Sequence, residues 1–212
     1  MKINNSSMLL YAVTDRTWLD GNSLENQVEI ALNSGITFLQ LREKDLGFNE
    51  FVELAKRIKI LANKAKVPFV INDNIDVAIA SNADGVHLGQ DDIPADKARK
   101  ILGNDKIIGI SVQTVEDAIL AEKNGADYLG VGAVFSTSTK LDASDVSFET
   151  LKEICNAVSI PVVAIGGINK DNILELKGSG IDGVAVVSAI FAQKNIANAT
   201  KELIKLCREV VD

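Results

Sequence analysis

Short apolar runs alternate along the chain with longer segments in which apolar positions recur every three or four residues. The runs VPFVI and IPVVAI contain no polar side chain, as is typical of strands covered on both faces of a parallel sheet. The segment 48–65, with Phe51, Leu54, Ile58 and Leu61 at helical spacing, predicts an amphipathic helix. By these criteria the predicted strands are Met8–Thr14, Ile36–Leu41, Pro68–Ile71, Gly85–Leu88, Ile107–Ile110, Tyr128–Val131, Pro161–Ile165 and Gly183–Val187, and the predicted helices are Leu24–Asn33, Phe48–Ala65, Ile75–Ser81, Ala95–Leu102, Val115–Asn124, Phe148–Val158, Asn172–Lys177 and Ile196–Val210.

This order of elements predicts an α/β fold, a (β/α)8 TIM barrel. Eight strand–helix units repeat about every 26 residues in a chain of 212 residues. The similar turns NGAD, SNADG and GSGIDG each end a helix and start a strand, with glycine suited to the left-handed cap. A doubly wound open sheet is the rival fold, but the glycine-rich turn expected after its first strand is missing. No linker composition interrupts residues 1–212, so we expect a single domain.

Composition and charge narrow the class of protein. A hydrophobic content of 47% is ample for a core, and a net charge of −7 argues against nucleic acid as the main partner. Cys155 and Cys207 lie far apart without a neighbouring Cys/His cluster, so zinc is not expected. The apolar run near the N-terminus is too short for a membrane span and lacks a signal-peptide cleavage pattern. We therefore expect a cytoplasmic protein without a membrane partner; its oligomeric state is not predicted.

One set of polar residues at the predicted strand ends combines cations with carboxylates. In a TIM barrel the active site lies at the C-terminal ends of the strands. Arg42, Lys44 and Lys140 can bind a pyrophosphate, and Asp73 and Asp92 can share a Mg²⁺, which prefers carboxylate and phosphate oxygens. The alternatives are that both aspartates cap helices and that Arg42 and Lys44 belong to a solvated loop.

A second set is suited to a single phosphate. Gly166–Gly167 after the seventh strand and Val187–Ser188 after the eighth match the monophosphate site found in many TIM barrels, although Gly–Gly can also make only a tight turn. The loop Ser136–Lys140, with four hydroxyls beside one ammonium, follows the sixth strand. It is either a phosphate contact or an ordinary polar loop, and the segment 136–146 is long enough to act as a lid.

Two phosphate-type sites on one face indicate an enzyme that joins two phosphorylated small molecules and releases pyrophosphate. An isomerase of one sugar phosphate is the competitor, but it would need a dedicated general base. His87 is the only histidine, and its place inside the strand VHL favours a hydrogen-bonded structural histidine over a base.

Six motifs together resemble the thiamine phosphate synthase family. They are QLREKD, INDNIDVA, DGVHLGQDD, GVGAVFSTSTK, AIGGI and GVAVVSAI, and they occur in order over nearly the whole chain. The resemblance implies coupling of 4-amino-2-methyl-5-(diphosphomethyl)pyrimidine to a thiazole monophosphate, giving thiamine monophosphate and pyrophosphate with Mg²⁺. It also implies a dissociative mechanism, in which pyrophosphate departs before the thiazole nitrogen attacks.

The resemblance also assigns residues to the two substrates. For the pyrimidine pyrophosphate it implies Gln40, Leu41, Arg42, Glu43, Lys44, Asn72, Ser111 and Lys140, of which Arg42, Ser111 and Lys140 would be catalytic. For the thiazole phosphate it implies Thr137, Ser138, Thr139, Gly167, Val187 and Ser188, and for Mg²⁺ it implies Asp73 and Asp92. Two other functions stay open on the same barrel, a thiazole tautomerase and a non-catalytic thiamine-phosphate-binding regulator. Neither would need both the metal pair and the pyrophosphate cations.

Overall fold

The predicted TIM barrel is confirmed. The computed structural model describes residue 3, residues 5–136 and residues 146–211, and its eight parallel strands close into a barrel in the order of the sequence. The strands are β1 Leu10–Val13, β2 Phe38–Leu41, β3 Phe69–Asn72, β4 Gly85–Leu88, β5 Ile107–Val112, β6 Tyr128–Val131, β7 Val162–Ile165 and β8 Gly183–Val186. The α-helices are α1 Leu24–Ser34, α2 Phe48–Ala65, α3 Ile75–Ala80, α4 Ala95–Leu102, α5 Val115–Lys123, α6 Phe148–Ala157, α7 Ser188–Phe191 and α8 Ile196–Val211.

Two helical segments differ from the prediction. The α-helix predicted over Asn172–Lys177 is wrong, since the structure has a 3-10 helix, Ile173–Leu176, in this segment. The turn before this segment, in which the side chain of Asn172 accepts from the N–H of Asn169, leads directly into a single 3-10 turn. The short helix α7 was not predicted, because four residues carry no amphipathic period. Two more 3-10 helices, Asn5–Met8 and Arg16–Trp18, flank β1.

Side chains alternate between the barrel interior and the layer under the helices. On β2, Phe38 packs inside with Tyr11 and Tyr128, whereas Leu39 and Leu41 pack outward against the helices. The interior rings meet edge to face, with centroids 4.7 Å apart for Tyr11 and Phe38 and 5.4 Å apart for Phe38 and Tyr128. This alternation leaves every second residue at a strand end facing the mouth of the barrel.

A repeated hydrogen bond holds the N-terminal ends of the strands together. The residue before each even-numbered strand accepts a backbone N–H from the preceding odd-numbered strand. Thr37 accepts from Leu10, and Asp84, Asp127 and Asp182 accept from Phe69, Ile108 and Val162, at 2.8–2.9 Å. The similar turns seen in the sequence therefore carry a strand-pairing function besides the helix cap. In the turn SNADG, the left-handed residue is Asn82, with φ 52°, rather than the glycine.

Among the described residues, no helix is both long and apolar enough to cross a membrane.

Gly109 on β5 supports a prediction about the barrel interior. A Cβ atom at this position would lie 2.1 Å from Cζ of Tyr128, a fully buried ring. We expect Gly109→Ala to lower the free energy of unfolding by about 1–3 kcal/mol because the ring or the strand must shift. Thermal denaturation measures the loss. Gly47→Ala is the control, since Gly47 has φ −63° and its nearest neighbour would be 4.0 Å away. Equal losses in the two variants would contradict this account.

Candidate active site

The predicted pyrophosphate residues after β2 lie at the mouth of the barrel, but their side chains have different surroundings. Gln40 is buried inside the barrel, where its Nε2 donates to the hydroxyl of Tyr11 at 2.5 Å. Leu41 packs outward under the helices, so only its backbone is available to a ligand. Glu43 accepts from Nε of Arg16 with both carboxylate oxygens at 2.8 Å. Lys44 is exposed.

Arg42 is held in place rather than solvated. Its Nη1 donates to Oδ2 of Asp15 at 3.1 Å, with both side chains mostly buried, and its backbone N–H donates to the hydroxyl of Thr14 at 3.0 Å. Thr14 N–H in turn donates to the carbonyl of Gln40 at 3.0 Å. The end of β1 therefore fixes the loop after β2, and the solvated-loop alternative does not apply to Arg42.

Asp73 and Asp92 lie side by side. Asn74 caps helix α3 through its own side chain, and Pro94 is the N-cap residue of helix α4, which has no side-chain cap, so neither aspartate serves as a helix cap. Partial burial, followed by the negative charge of Asp92, raises the pKa of Asp73 to about 6, which Asn72 and Arg42 only partly oppose. Asp92 Oδ2 accepts from the N–H of Gly89 at 2.7 Å.

This pair of carboxylates fits a divalent cation. Two like charges held together are strained unless a cation or a proton lies between them. Among the described residues, no group of three or more His, Cys, Asp or Glu side chains comes together, so two protein ligands are available here. That number suits Mg²⁺, which is usually held by one or two carboxylates plus substrate phosphates and water.

Ser111 and His87 occupy the next strand ends. His87 is buried inside the barrel, with Nδ1 2.9 Å from the hydroxyl of Tyr128 and Nε2 2.9 Å from Oγ of Ser111. The carbonyl of Ser111 accepts from Nε2 of Gln90 at 2.5 Å. His87 is thus hydrogen-bonded through both ring nitrogens, in agreement with the structural role expected from the sequence.

The predicted monophosphate residues lie across the mouth, after β7 and β8. Gly166 and Gly167 have φ 102° and 65°, and a Cβ on Gly167 would lie 2.7 Å from the carbonyl oxygen of Phe135. The tight-turn alternative therefore describes the conformation of this pair, and a phosphate role stays a prediction. Val187 directly precedes helix α7, whose first residue is Ser188 and whose N-terminus has no side-chain cap.

Sequence reasoning missed two asparagines at this edge. Nδ2 of Asn169 and of Asn172 both donate to the carbonyl of Gly167, at 3.2 and 3.0 Å. These two hydrogen bonds fix the orientation of the Gly167 carbonyl. The motif AIGGI ends one residue before Asn169, and the turn after it brings Asn172 back to the glycine.

Thr137, Ser138, Thr139 and Lys140 lie outside the described residues, so their predicted roles and the lid prediction remain predictions. The two ends of this loop do meet, since the N–H of Val146 donates to the carbonyl of Ala133 at 2.7 Å. The loop therefore starts and ends beside the glycine pair, because the N–H of Phe135 donates to the carbonyl of Gly166 at 3.1 Å.

Comparison with known proteins identifies the family of this chain. The family model for thiamine monophosphate synthase matches residues 10–190. The chain belongs to the thiamine monophosphate synthase family. It is 51% identical to the thiamine-phosphate synthase of Clostridium tetani over 96% of this chain and 97% of that protein, and 53% identical to that of Clostridium beijerinckii over 92% and 93%. The solved structure of the thiamine phosphate pyrophosphorylase of Pyrococcus furiosus superposes with a TM-score of 0.91, at 42% identity over 98% of this chain and 99% of that chain.

The aspartate pair of this family member predicts a dependence of stability on pH. A carboxyl whose folded pKa is raised from 3.8 to about 6 binds more protons in the folded state than in the unfolded state. The metal-free protein should therefore lose stability as pH rises from about 4 to about 6. We expect Asp73→Asn to be the more stable protein above pH 6, by roughly 1 kcal/mol after allowance for the exposure of Asp73, and the difference to vanish near pH 4.

Thermal denaturation across this pH range, with and without Mg²⁺, measures the effect. Mg²⁺ should stabilise the parent protein and have a smaller effect on Asp73→Asn. The neighbouring exposed Asp91 provides a matched control, because Asp91→Asn removes the same charge outside the pair. A pH profile unchanged by Asp73→Asn would contradict the account.

Proposed function

We propose that this member of the family is a thiamine-phosphate synthase, which couples 4-amino-2-methyl-5-(diphosphomethyl)pyrimidine to a thiazole monophosphate and releases pyrophosphate. The observation that carries the proposal is that the two sides of the barrel mouth differ in chemistry. A carboxylate pair beside Arg42 lies after β2 to β4, and a glycine pair with a helix N-terminus lies after β7 and β8. High identity to named synthases over nearly the whole chain supports the same reaction.

The pyrimidine pyrophosphate would bind across the ends of β2 to β5. Arg42 would bind it with the guanidinium N–H groups that Asp15 leaves available, while Lys44 and Lys140 add positive charge. Gln40, Asn72 and Ser111 would form hydrogen bonds with the substrate through neutral side chains. Leu41 would contact the substrate through its backbone, and Glu43 would hold Arg16 in a fixed position. The site gathers hydrogen-bond donors, as a departing polyanion requires.

Asp73 and Asp92 would hold Mg²⁺ beside this pyrophosphate. When bound, the ion supplies positive charge that stabilises the leaving pyrophosphate. The rest of the coordination would come from phosphate oxygens and water, because the described part of the chain offers only the two carboxylates here. Asn72 Nδ2 donates to Oδ2 of Asp73 at 2.5 Å and so orients the carboxylate.

The thiazole phosphate would bind on the opposite side of the mouth. Gly167, Val187 and Ser188 would offer backbone N–H groups, and Ser188 also its hydroxyl. Thr137, Ser138 and Thr139 would complete this site from the loop after β6, whose base packs on Gly166 and Gly167. The two reactants would then face each other across the barrel axis.

The reaction needs one bond to break and one to form. The bond between the pyrimidine methylene carbon and the pyrophosphate oxygen breaks, and both electrons leave with pyrophosphate. The thiazole nitrogen then donates its lone pair to the methylene carbon, forming the carbon–nitrogen bond of thiamine monophosphate. No proton transfer is needed in these steps, so positioning and charge stabilisation suffice, in keeping with a site whose only histidine is already hydrogen-bonded at both nitrogens.

The other functions considered from sequence are less well supported. A thiazole tautomerase or a regulator would need the monophosphate edge, but not a paired carboxylate site beside Arg42. A sugar-phosphate isomerase would need a free general base. We also propose a cytoplasmic location and small phosphorylated molecules, rather than nucleic acid or membranes, as partners, since the net charge is −7.

Pyrophosphate release from the purified protein tests the proposed function. We expect release only when both substrates and Mg²⁺ are present, because departure of the leaving group depends on the cation and product formation on the second substrate. Release from the pyrimidine substrate alone at the same rate would indicate a hydrolase. Absence of release, with thiazole phosphate still bound, would favour the tautomerase or the regulator.

Lys140 provides a second prediction for the same reaction. We expect Lys140→Ala to lower kcat by about 10²–10³-fold while the fold is retained, because the variant removes charge from the leaving group. Steady-state kinetics with circular dichroism as a folding check would measure this. Lys170→Ala, at an exposed lysine in the loop after β7, is the matched control and should leave kcat within about twofold of the parent. Near-parental activity of Lys140→Ala would remove Lys140 from the mechanism.

A further inference from the structure

A continuous chain of hydrogen bonds crosses the barrel interior beneath the barrel mouth. Gln40 Nε2 donates to the Tyr11 hydroxyl at 2.5 Å, and the Tyr11 and Tyr128 hydroxyls are 2.8 Å apart. The Tyr128 hydroxyl is 2.9 Å from Nδ1 of His87, and Nε2 of His87 is 2.9 Å from Oγ of Ser111. The hydrogen-bonded chain links β2, β1, β6, β4 and β5, and it ends at Gln40 and Ser111, two residues assigned above to the pyrimidine substrate.

The protons available to these groups determine which of them donates in each hydrogen bond. Each tyrosine hydroxyl has one proton to donate. Among the described residues the Tyr11 hydroxyl contacts Gln40 and Tyr128, and it accepts from Gln40, so its own proton forms a hydrogen bond only if it is donated to Tyr128. Tyr128 then donates to Nδ1 of His87. Nδ1 is therefore the acceptor nitrogen, and the ring proton lies on Nε2, from where it is donated to Ser111. Ser111 accepts this bond and keeps its own proton for another partner.

The surroundings keep the members of the chain in place. Tyr11 and Tyr128 are almost completely buried, so neither hydroxyl can exchange its partner for bulk water without opening the barrel. The His87 ring lies against Gly130, where a Cβ atom would come within 3.1 Å of Cε1. The backbone of Ser111 is fixed by Gln90. A buried and fully connected network of this kind defines one arrangement of its protons.

We propose that Gln40, Tyr11, Tyr128 and His87 form a positioning device that holds His87 as the Nε2–H tautomer and so leaves the hydroxyl proton of Ser111 for a phosphate oxygen of the pyrimidine substrate. The opposite direction would start with a Gln40 carbonyl facing Tyr11 and would end with Ser111 donating to His87. In that case Ser111 would present only lone pairs to a polyanion, which would repel it. The Ser111 end of the proposal rests on the proposed function, whereas the tautomer of His87 does not.

Nuclear magnetic resonance of the unmodified protein tests the tautomer directly. His87 is the only histidine of the chain, so protein labelled with ¹⁵N-histidine gives one imidazole signal set. Without substrates and at mildly alkaline pH, we expect a protonated Nε2 and an unprotonated, hydrogen-bonded Nδ1. A protonated Nδ1, or an equal mixture of the two tautomers, would overturn the proposal. This result does not depend on activity, so it separates failure of the proposal from failure of the proposed function.

The protein has two tyrosines, Tyr11 and Tyr128, and both belong to this series of hydrogen bonds. Their Phe variants are matched, since each variant loses one buried hydroxyl. Tyr128→Phe removes the donor to Nδ1, so we expect the Nδ1 signal to move to the value of an unbonded nitrogen. Tyr11→Phe leaves that donor in place and also removes the only competing partner of the Tyr128 hydroxyl among the described residues, so Tyr128 should still donate to Nδ1 and the signal should be nearly unchanged. A merely structural role for both tyrosines predicts similar losses of stability and the same imidazole spectrum in both variants.

Kinetics test the link to Ser111. We expect Tyr128→Phe to lower kcat/KM for the pyrimidine substrate about tenfold, because the Ser111 proton is no longer committed to the charged ligand. In a Ser111→Ala background the same change should cost less than about twofold, since the group through which it acts is absent. Additive effects in the double variant would overturn the link, even if the tautomer proves correct.

Discussion

The register of the parallel strands is the constraint on which the rest of the structure depends. Every second side chain of a strand faces the barrel interior, so a shift of one residue would exchange the interior with the outer layer. On β2 this rule places Gln40 inside and Leu41 under the helices. Because β3 pairs Asn72 with His87 and β5 pairs Ser111 with Gly130, all of these positions face the same cavity. Strand pairing therefore determines which of these residues face the site, before the loops contribute to it.

The N-terminal end of the barrel holds the strands together, and the C-terminal end carries the candidate site. At the N-terminal end, Thr37, Asp84, Asp127 and Asp182 fix adjacent strands, and Lys59 and Arg99 pair with Asp84 and Asp127 at 2.6 Å. At the C-terminal end the polar groups face an open mouth, where Asp73 and Asp92 repel each other. A strained site of this kind requires a rigid base, and the repeated strand-end bonds supply it.

Much of the fold was predictable because its signals are local. The bounds of α2, α4, β4 and β6 follow directly from periodicity and flanking turn residues. The 3-10 segment Ile173–Leu176 and helix α7 are four residues each, too short to show a period, so no sequence pattern specifies their form.

The site was predictable in part for the same reason. The motifs name the residues at the mouth, and those of them within the described ranges lie at the strand ends. The partners of Arg42, Glu43 and Gly167 are harder to read, because Asp15, Arg16 and Asn172 become neighbours only when strands or turns pair. The contact between Tyr11 and Tyr128 spans 117 residues of sequence, and no local pattern predicts it.

The charges at the mouth explain how an acidic protein can bind two phosphorylated substrates. Arg16 and Arg42 are already paired with Glu43 and Asp15, and these pairs fix the cations in position while they reduce the local excess of positive charge. Asp73 and Asp92 add two negative charges where a pyrophosphate would sit. A polyanion can bind there only if a divalent cation neutralises that pair, so in this site metal and pyrophosphate are expected to bind together. The net charge of −7 then limits non-specific binding of other polyanions, and the bound cation decides which anion is accepted.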